Sequence, residues 1–391
     1  MELCLIVDHA CNLRCRYCYT GEKFSRPMSP QVMRNALDLA LAQNTGWLSL
    51  TLFGGEPLMR PMILETVEHV VRDALIAYGR PVQLRWLLDT NGTLFSEPDL
   101  DWLAPPRPAQ VFVSLDGVLA AHDANRVGSN GQATHAAVVQ GIRRLRSRLI
   151  PFDVIAVVSP NSCEYLAESL AFLLTLGASC IQFQPNLHAQ WDDSSLVRFA
   201  RTANEAAFVW ANEFRRGHRV VVEPFHGKVL SHLLRGLRLP PRCQLVTREF
   251  AVAPSGRIYP CAEMVGQDDS LDRVVGHVTT GFDLERISAL RQAAQVVHAG
   301  CADCTLRNRC LNSCGCRQLA STGRLGQVSE ALCRLEAGWI DAADAAAEQL
   351  VDEQCRAFLE FYYGSTWSVT GAAPTTHEAL VQLRRKPQEH E

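Results

Sequence analysis

Short apolar runs alternate with longer amphipathic stretches along the first half of the chain. Six runs have the length and the leucine, valine and isoleucine content of strands: 2–8 (ELCLIVD), 47–53 (WLSLTLF), 82–89 (VQLRWLLD), 110–116 (QVFVSLD), 152–159 (FDVIAVVS) and 179–184 (SCIQFQ). Between them helical periodicity marks a segment opening at Ser29-Pro30, where a serine cap precedes proline at the first helical position, and the segments 60–78, 134–148 and 161–177. Near-continuous apolar strands joined by helical crossovers predict a parallel sheet covered on its outer face, either an open doubly wound sheet or a full or partial barrel. Both architectures put function at the C-terminal ends of the strands. Further on, AVAPSGRIYP (251–260) predicts a β-hairpin around Ser255-Gly256. The stretch 336–364 predicts one packing helix ending at a glycine, and 365–391, mixed in Pro, Thr and charge, is expected to be loosely ordered.

The polar and glycine-rich motifs fall at those strand ends. HACNLRCRYCY (9–19) follows the first strand, GGEP (54–57) the second, DTNGT (89–93) ends the third and SLDG (114–117) the fourth. Each alone reads as an ordinary turn. Four in succession, on one rim and beside three cysteines, read as a site.

Composition narrows its chemistry. The 391 residues allow two or three packed units, and 38 Lys and Arg against 41 Asp and Glu give a net charge of −3, without the footprint of a nucleic-acid binder. Arg-rich IRRLRSR (142–148) is accordingly a solvated helix face. The start, MELCLIVDHA, lacks a basic region before its apolar run and is interrupted by Asp8, and no apolar stretch approaches membrane-spanning length. A cytoplasmic protein is expected, bound to neither membrane nor nucleic acid. Fifteen cysteines then point to metal or redox chemistry. Zinc would want four protein ligands, with only His9 near enough in sequence to complete the thiol triad Cys11, Cys15 and Cys18. An iron-sulfur cluster on three thiols leaves one iron for a small chelating molecule.

The triad, with Tyr17 before its last cysteine, resembles the CxxxCxxC signature of the radical S-adenosylmethionine (SAM) enzymes. The resemblance implies a partial six-stranded (β/α)6 barrel and a [4Fe-4S] cluster whose open iron is chelated by SAM. It also implies reductive cleavage of SAM to a 5′-deoxyadenosyl radical that abstracts hydrogen from an unactivated carbon. On the family pattern Gly54, Gly55 and Glu56 meet the SAM amino group, Ser114 contacts the cofactor, and Arg126 grips its carboxylate, a pairing the guanidinium fork suits. His122 and Asp123 of the same segment have capping or turn roles as an equal reading.

A second cysteine set, Cys243, Cys261, Cys301, Cys304, Cys310, Cys314 and Cys333, has the spacing CX12GX4C, then CX2CX5CX3C, then C. By itself it reads as a metal knuckle, zinc included. Beside the first motif it resembles the SPASM extension, which implies two auxiliary [4Fe-4S] clusters: Cys243, Cys261 and Cys314 on one, Cys301, Cys304, Cys310 and Cys333 on the other. The first lacks a thiolate. Where some relatives carry another cysteine, six residues after the first, this chain has Glu249, so the ligand falls to Cys316, to a non-thiol side chain, or to none. Cys4, Cys163, Cys180 and Cys355 read as apolar packing residues.

The expected organisation is a radical SAM barrel over 1–215, an auxiliary-cluster SPASM domain with a hairpin and helices over 216–340, and a C-terminal helix and tail over 341–391. The resemblance implies a maturase that crosslinks a ribosomally made precursor peptide through a thioether, ether or carbon-carbon bond, reduced by a flavodoxin or ferredoxin. Alternatives are formylglycine formation of the sulfatase-maturase type, peptide epimerisation, or a zinc-bearing binding module without catalysis. Against the formylglycine reading, the residue after Cys261 is Ala262, where those enzymes carry an aspartate, with Glu263 one further on. Glu263, Tyr259 and Cys316 are the candidate catalytic groups. With the first strand starting at Glu2, leader recognition is expected from a separate protein, from the extension or from the barrel mouth.

Overall fold

The computed structural model describes residues 1–43, 45–237, 246 and 248–364. The expected tail 365–391 and Cys243 lie outside the described residues. Eleven strands form one sheet among those described. They are β1 (Glu2–Asp8), β2 (Trp47–Gly54), β3 (Gln83–Thr90), β4 (Ala109–Ser114), β5 (Phe152–Val158), β6 (Cys180–Pro185), β7 (Val221–Glu223), β8 (Glu249–Val252), β9 (Arg257–Tyr259), β10 (Gly276–His277) and β11 (Gly281–Phe282). Strands β1 to β7 pair in sequence order and all in parallel, with Leu3 opposite Leu50 and Leu52 opposite Leu88. The helices are α1 (Pro30–Leu41), α2 (Ile63–Tyr78), α3 (Glu97–Leu103), α4 (Leu119–Asp123), α5 (His135–Ser147), α6 (Leu166–Thr175), α7 (Asp193–Arg215), α8 (Phe225–Leu233), α9 (Leu284–Gln295), α10 (Gly315–Thr322), α11 (Glu330–Asp352) and α12 (Arg356–Tyr363). The expected α/β class with a large parallel sheet is the observed one.

Alternation along the strands explains where the cavities lie. Leu48, Leu50 and Leu52 of β2, Trp86 and Leu88 of β3, Val111 and Val113 of β4 and Val154 and Ala156 of β5 are buried in one core with Leu37, Leu64, Val67 and Ile142 of the covering helices. The intervening residues face the concave side and stay partly exposed, among them Thr51, Asp89, Ser114 and Ile155. That side carries one cavity at the C-terminal ends of the strands and another at the opposite end, where Gln110 bonds both Arg85 and Asp153.

Local chemistry sets the element ends. Ser29 caps α1, accepting from Val32 N at 3.3 Å with Pro30 next. The single helix expected over 336–364 is two helices: Gln354 takes a left-handed φ of 56° and the chain turns at Cys355. The turn lets Phe358 pack edge-on to Phe214 at 5.3 Å and join a core with Trp210. The downstream hairpin forms as β8 and β9, but β8 also pairs in parallel with β1, Leu3 opposite Phe250, so the sheet runs unbroken out of the barrel strands. Helix α11 lies along α7, with Trp339 edge-on to Phe199 at 4.9 Å. No described helix is long and apolar enough to cross a membrane.

Candidate active site

The cysteine loop after β1 is held from three sides. Gly55 N donates to Asp8 O at 2.9 Å and Glu56 N to Ala10 O at 2.8 Å, which presses the turn after β2 onto the loop. No side chain fits there: a Cβ on Gly55 would meet Ala10 O at 2.1 Å, and one on Gly54, at φ 140°, would meet Asp8 O at 2.3 Å. From the end of β3, Asn91 Nδ2 donates to Asn12 Oδ1 at 2.8 Å, and Asn12 reaches Thr93 Oγ1 at 2.9 Å. From beyond β4, the segment 125–129 straps the loop by backbone bonds from Arg14 N to Val127 O (2.7 Å), Arg16 N to Asn125 O (2.9 Å) and Ser129 N to Asn12 O (3.0 Å). Motifs scattered over some 120 residues of sequence thereby share one rim.

The loop opens on a cavity of about 280 Å³ lined by Cys11, Cys15, Tyr17, Cys18, Gly54, Gly55, Ser114 and Arg126. These are eight of the nine positions named above for the first cluster and SAM, all but Glu56. Glu56 itself is fully buried, and its carboxylate accepts from Leu58 N (3.1 Å), Thr90 Oγ1 (2.8 Å) and Asn91 N (2.6 Å), clasping β2 to β3 instead of facing the cavity. Arg126 is buried, its Nε donating to Asp116 Oδ1 at 2.9 Å, with its guanidinium 5.3 Å from the Tyr17 ring centre. Burial opposes its charge, and Asp116 more than offsets that, holding the guanidinium firmly protonated. Among the described residues only Nε of this side chain is engaged, so its terminal nitrogens are left for the cavity. His122 and Asp123 are structural: His122 Nε2 contacts Thr134 Oγ1 at 3.0 Å, and Asp123 caps α5 through Thr134 N and His135 N.

Electrostatics differ among the three thiols. Burial pushes Cys11 up to about 11 and raises Cys15 as well. Burial also acts on Cys18, but the Lys23 ammonium 2.9 Å from its sulfur outweighs it and holds this thiol below its ordinary value.

Some residues of the site carried no sequence signal strong enough to single out. Asp116 accepts from Tyr17 OH (2.5 Å), Arg126 Nε and Val157 N (2.9 Å), binding the cysteine loop, the arginine and β5 into one unit. Its place two residues after Ser114 was the available clue. Asp89, on the concave side of β3, lines the cavity, and burial pushes its carboxyl up to about 7. Lys23 stands in a loop without pattern.

The three catalytic candidates separate. Glu263 lines the same cavity, its carboxyl pushed up to about 7 by burial, then by Cys314 and Glu249. Tyr259 is fully buried and donates to Asp268 Oδ1 at 2.8 Å, one of several bonds that tie the hairpin to 268. Cys316 is buried with Met264 and Ala294, and Cys261 and Cys314 pack against that group.

The remaining downstream thiols meet elsewhere. Cys301, Cys304, Cys310 and Cys333 together line a second cavity of about 110 Å³ whose walls include Val297, Leu306 and Val328. A buried ion pair braces it: Lys228 Nζ bonds Glu336, which also accepts from Leu311 N at 2.8 Å and from Arg317 at 3.3 Å. Burial pushes Cys310 up to about 12, with Glu336 adding to it.

Among the described residues no three or more histidine, cysteine or acidic side chains converge where one metal ion would fit; a zinc ion would draw its donors to about 2.0–2.3 Å. The thiols instead rim open spaces, three at the first and four at the second, which suits multi-iron clusters bound at separate corners. Cys11, Cys15 and Cys18 thus can hold a cluster with one iron left for SAM.

Comparison with known proteins agrees with this chemistry. Residues 5–173 match the Radical SAM superfamily. An uncharacterized protein of Methanocaldococcus jannaschii is 29% identical over 182 residues, 46% of this chain and 61% of its own length, so the match spans less than two thirds of that protein. The cysteine-type anaerobic sulfatase-maturating enzyme of Clostridium perfringens is 22% identical over 319 residues, 78% of this chain and 85% of that one. The PqqA peptide cyclase of Gluconobacter oxydans is 23% identical over 384 residues, 93% and 98% of the two chains. The solved structure of native anSMEcpe with bound AdoMet and Cp18Cys peptide has a TM-score of 0.75 at 20% identity, covering 90% of this chain and 99% of that one. At that identity the likeness is one of fold.

Proposed function

We propose, from the premise that residues 5–173 of this enzyme are a radical SAM domain, that it is a maturase forming an intramolecular crosslink in a ribosomally made peptide. One observation carries the reading. A single cavity is lined both by the barrel's three thiols, Ser114 and Arg126 and, from the downstream unit, by Glu263. A bound cluster and SAM would supply a hydrogen-abstracting radical there. The chain's own part is to orient and exclude water: Arg126, tethered by Asp116, presents a fixed cation to the SAM carboxylate, and Gly54 and Gly55 offer backbone without side chains. Closing a crosslink removes one hydrogen atom, one electron and one proton from the peptide. Glu263, which lines the cavity, would take up that proton in its ionised form, and the clusters proposed for 216–340 the electron. Three four-iron clusters are proposed in all, with a flavodoxin or ferredoxin as reductant and a separate protein as one source of leader recognition.

A second reading is favoured by Glu263 itself. An acid in the cavity close after Cys261 also suits oxidation of a Cys or Ser side chain to formylglycine, as in the sulfatase-maturating relatives. The test is anaerobic: reconstituted protein, SAM, dithionite and the short peptide encoded beside the gene, with 5′-deoxyadenosine and peptide mass followed together. Loss of two hydrogen atoms with fragment ions missing between two residues supports the crosslink, whereas an aldehyde that reacts with a hydrazide probe supports formylglycine. A variant with Cys11, Cys15 and Cys18 changed to Ala that still cleaves SAM would sink both.

A further inference from the structure

The cysteine set for the first auxiliary cluster is one thiolate short by the family spacing, and the fold brings another thiol to it. Cys316 stands in the first turn of α10, whose N-cap is Cys314. Two residues apart within a helix, side chains diverge by about 200°. Here Cys314 is extended, at φ −68° and ψ 124°, so both thiols reach the same buried group. Cys316 is 7% exposed, packs with Met264 and Ala294, and shares a side-chain hydrogen bond with Cys261. Three thiols from two distant segments, the end of the hairpin and the start of α10, are thus gathered between apolar walls.

Glu249 competes for the role. It occupies the position of the missing cysteine, and its carboxylate also reaches Cys261. It is fixed on β8 opposite Glu2, however, and a carboxylate is a harder donor than iron-sulfur clusters select. We infer that Cys316 is a thiolate ligand of the first auxiliary cluster beside Cys261 and Cys314, and that Glu249 is a neighbour and not a ligand. The assignment rests on the auxiliary-cluster reading above. Its consequence is chemical: an iron held by Cys316 is not free to bind a substrate thiol.

The test uses the full chain with Cys11, Cys15 and Cys18 changed to Ala, so that only downstream iron remains, about eight atoms from two four-iron clusters. Cys316→Ala in that background is expected to lose between one and four irons and to change the EPR spectrum of the dithionite-reduced protein. Cys316→Ser, close in size and able to fold where Ala does not, is expected to shift that spectrum through oxygen ligation. Glu249→Gln is expected to leave iron and spectrum as in the parent. Unchanged iron and spectrum in both Cys316 variants would overturn the assignment, as would loss of iron in Glu249→Gln alone. A parent without downstream iron would instead refute the auxiliary-cluster reading itself.

Discussion

Asp116→Ala is the most informative single change. The carboxylate is fully buried and serves three donors at once: Tyr17 OH at 2.5 Å, Arg126 Nε at 2.9 Å and Val157 N at 2.9 Å. Its removal leaves a guanidinium with an 8% exposed side chain and no counter-charge, and breaking such a pair from one side costs about 3–5 kcal/mol. At about 2–4 °C per kcal/mol for a unit of this size, the melting temperature should fall by about 6 to 20 °C. Circular dichroism on the anaerobically reconstituted protein reads this directly. SAM adds a second arm. If the bound carboxylate faces Arg126, saturating SAM supplies the missing counter-charge and should raise the melting temperature of Asp116→Ala more than that of Arg126→Ala, in which no cation remains to be paired. A melt within about 2 °C of wild type would show that the triad does not hold the site together. Equal rescue of both variants by SAM would show that Arg126 does not meet the carboxylate.

Three further outcomes are expected. Gly55→Ala forces a Cβ to 2.1 Å from Ala10 O and should cost about 1–3 kcal/mol while lowering iron uptake at the first thiol set, seen in urea unfolding and iron analysis. Lys228→Met leaves the buried Glu336 with Arg317 as its remaining cationic partner and should cost up to about 3–5 kcal/mol, and adding Glu336→Gln should return part of the loss, read as a double-mutant cycle of unfolding midpoints. Asp89 is held neutral to higher pH in the fold than in the unfolded chain. It therefore binds more protons when folded between about pH 4 and pH 7, and its contribution, full at the acid end, is lost as pH rises through about 7. Asp89→Asn should flatten that part of the stability profile, and an unchanged slope would refute the assignment.

The strands were legible because burial on the covered face is written in period two: Leu48, Leu50 and Leu52, or Val111 and Val113, leave little choice of element. The cysteine loop and the glycines after β2 were legible for a related reason, since three thiols in eight residues and two adjacent glycines are chemically conspicuous. What the sequence hid was the wiring between them. Asp116 looks like a turn residue until Tyr17, 99 residues away, is found donating to it. Lys23 shows no pattern, yet it sets the charge environment of Cys18. The break at Gln354 was hidden for the opposite reason, because an Ala- and Glu-rich run has helix propensity throughout, and only the aromatic packing of Phe358 against Phe214 decides where it turns.

The continuity of the sheet adds a constraint that neither cysteine set implies alone. Because β8 pairs with β1 in register, Leu3 opposite Phe250 and Cys4 opposite Ala251, the hairpin leading to Cys261 and Glu263 lies directly beside the strand that ends at the first cysteine loop. A domain hung on a flexible linker would leave the distance between barrel thiols and downstream acid to chance. Shared backbone hydrogen bonds fix it, and Arg26 reinforces the join: its backbone N–H donates to Asp8 at 2.7 Å while its guanidinium meets Asp268 at 3.3 Å. Glu263 can therefore face the barrel cavity from a separate stretch of chain with the rigidity of a strand neighbour. The proton uptake proposed for Glu263 would accordingly need no closing motion between these two stretches of chain.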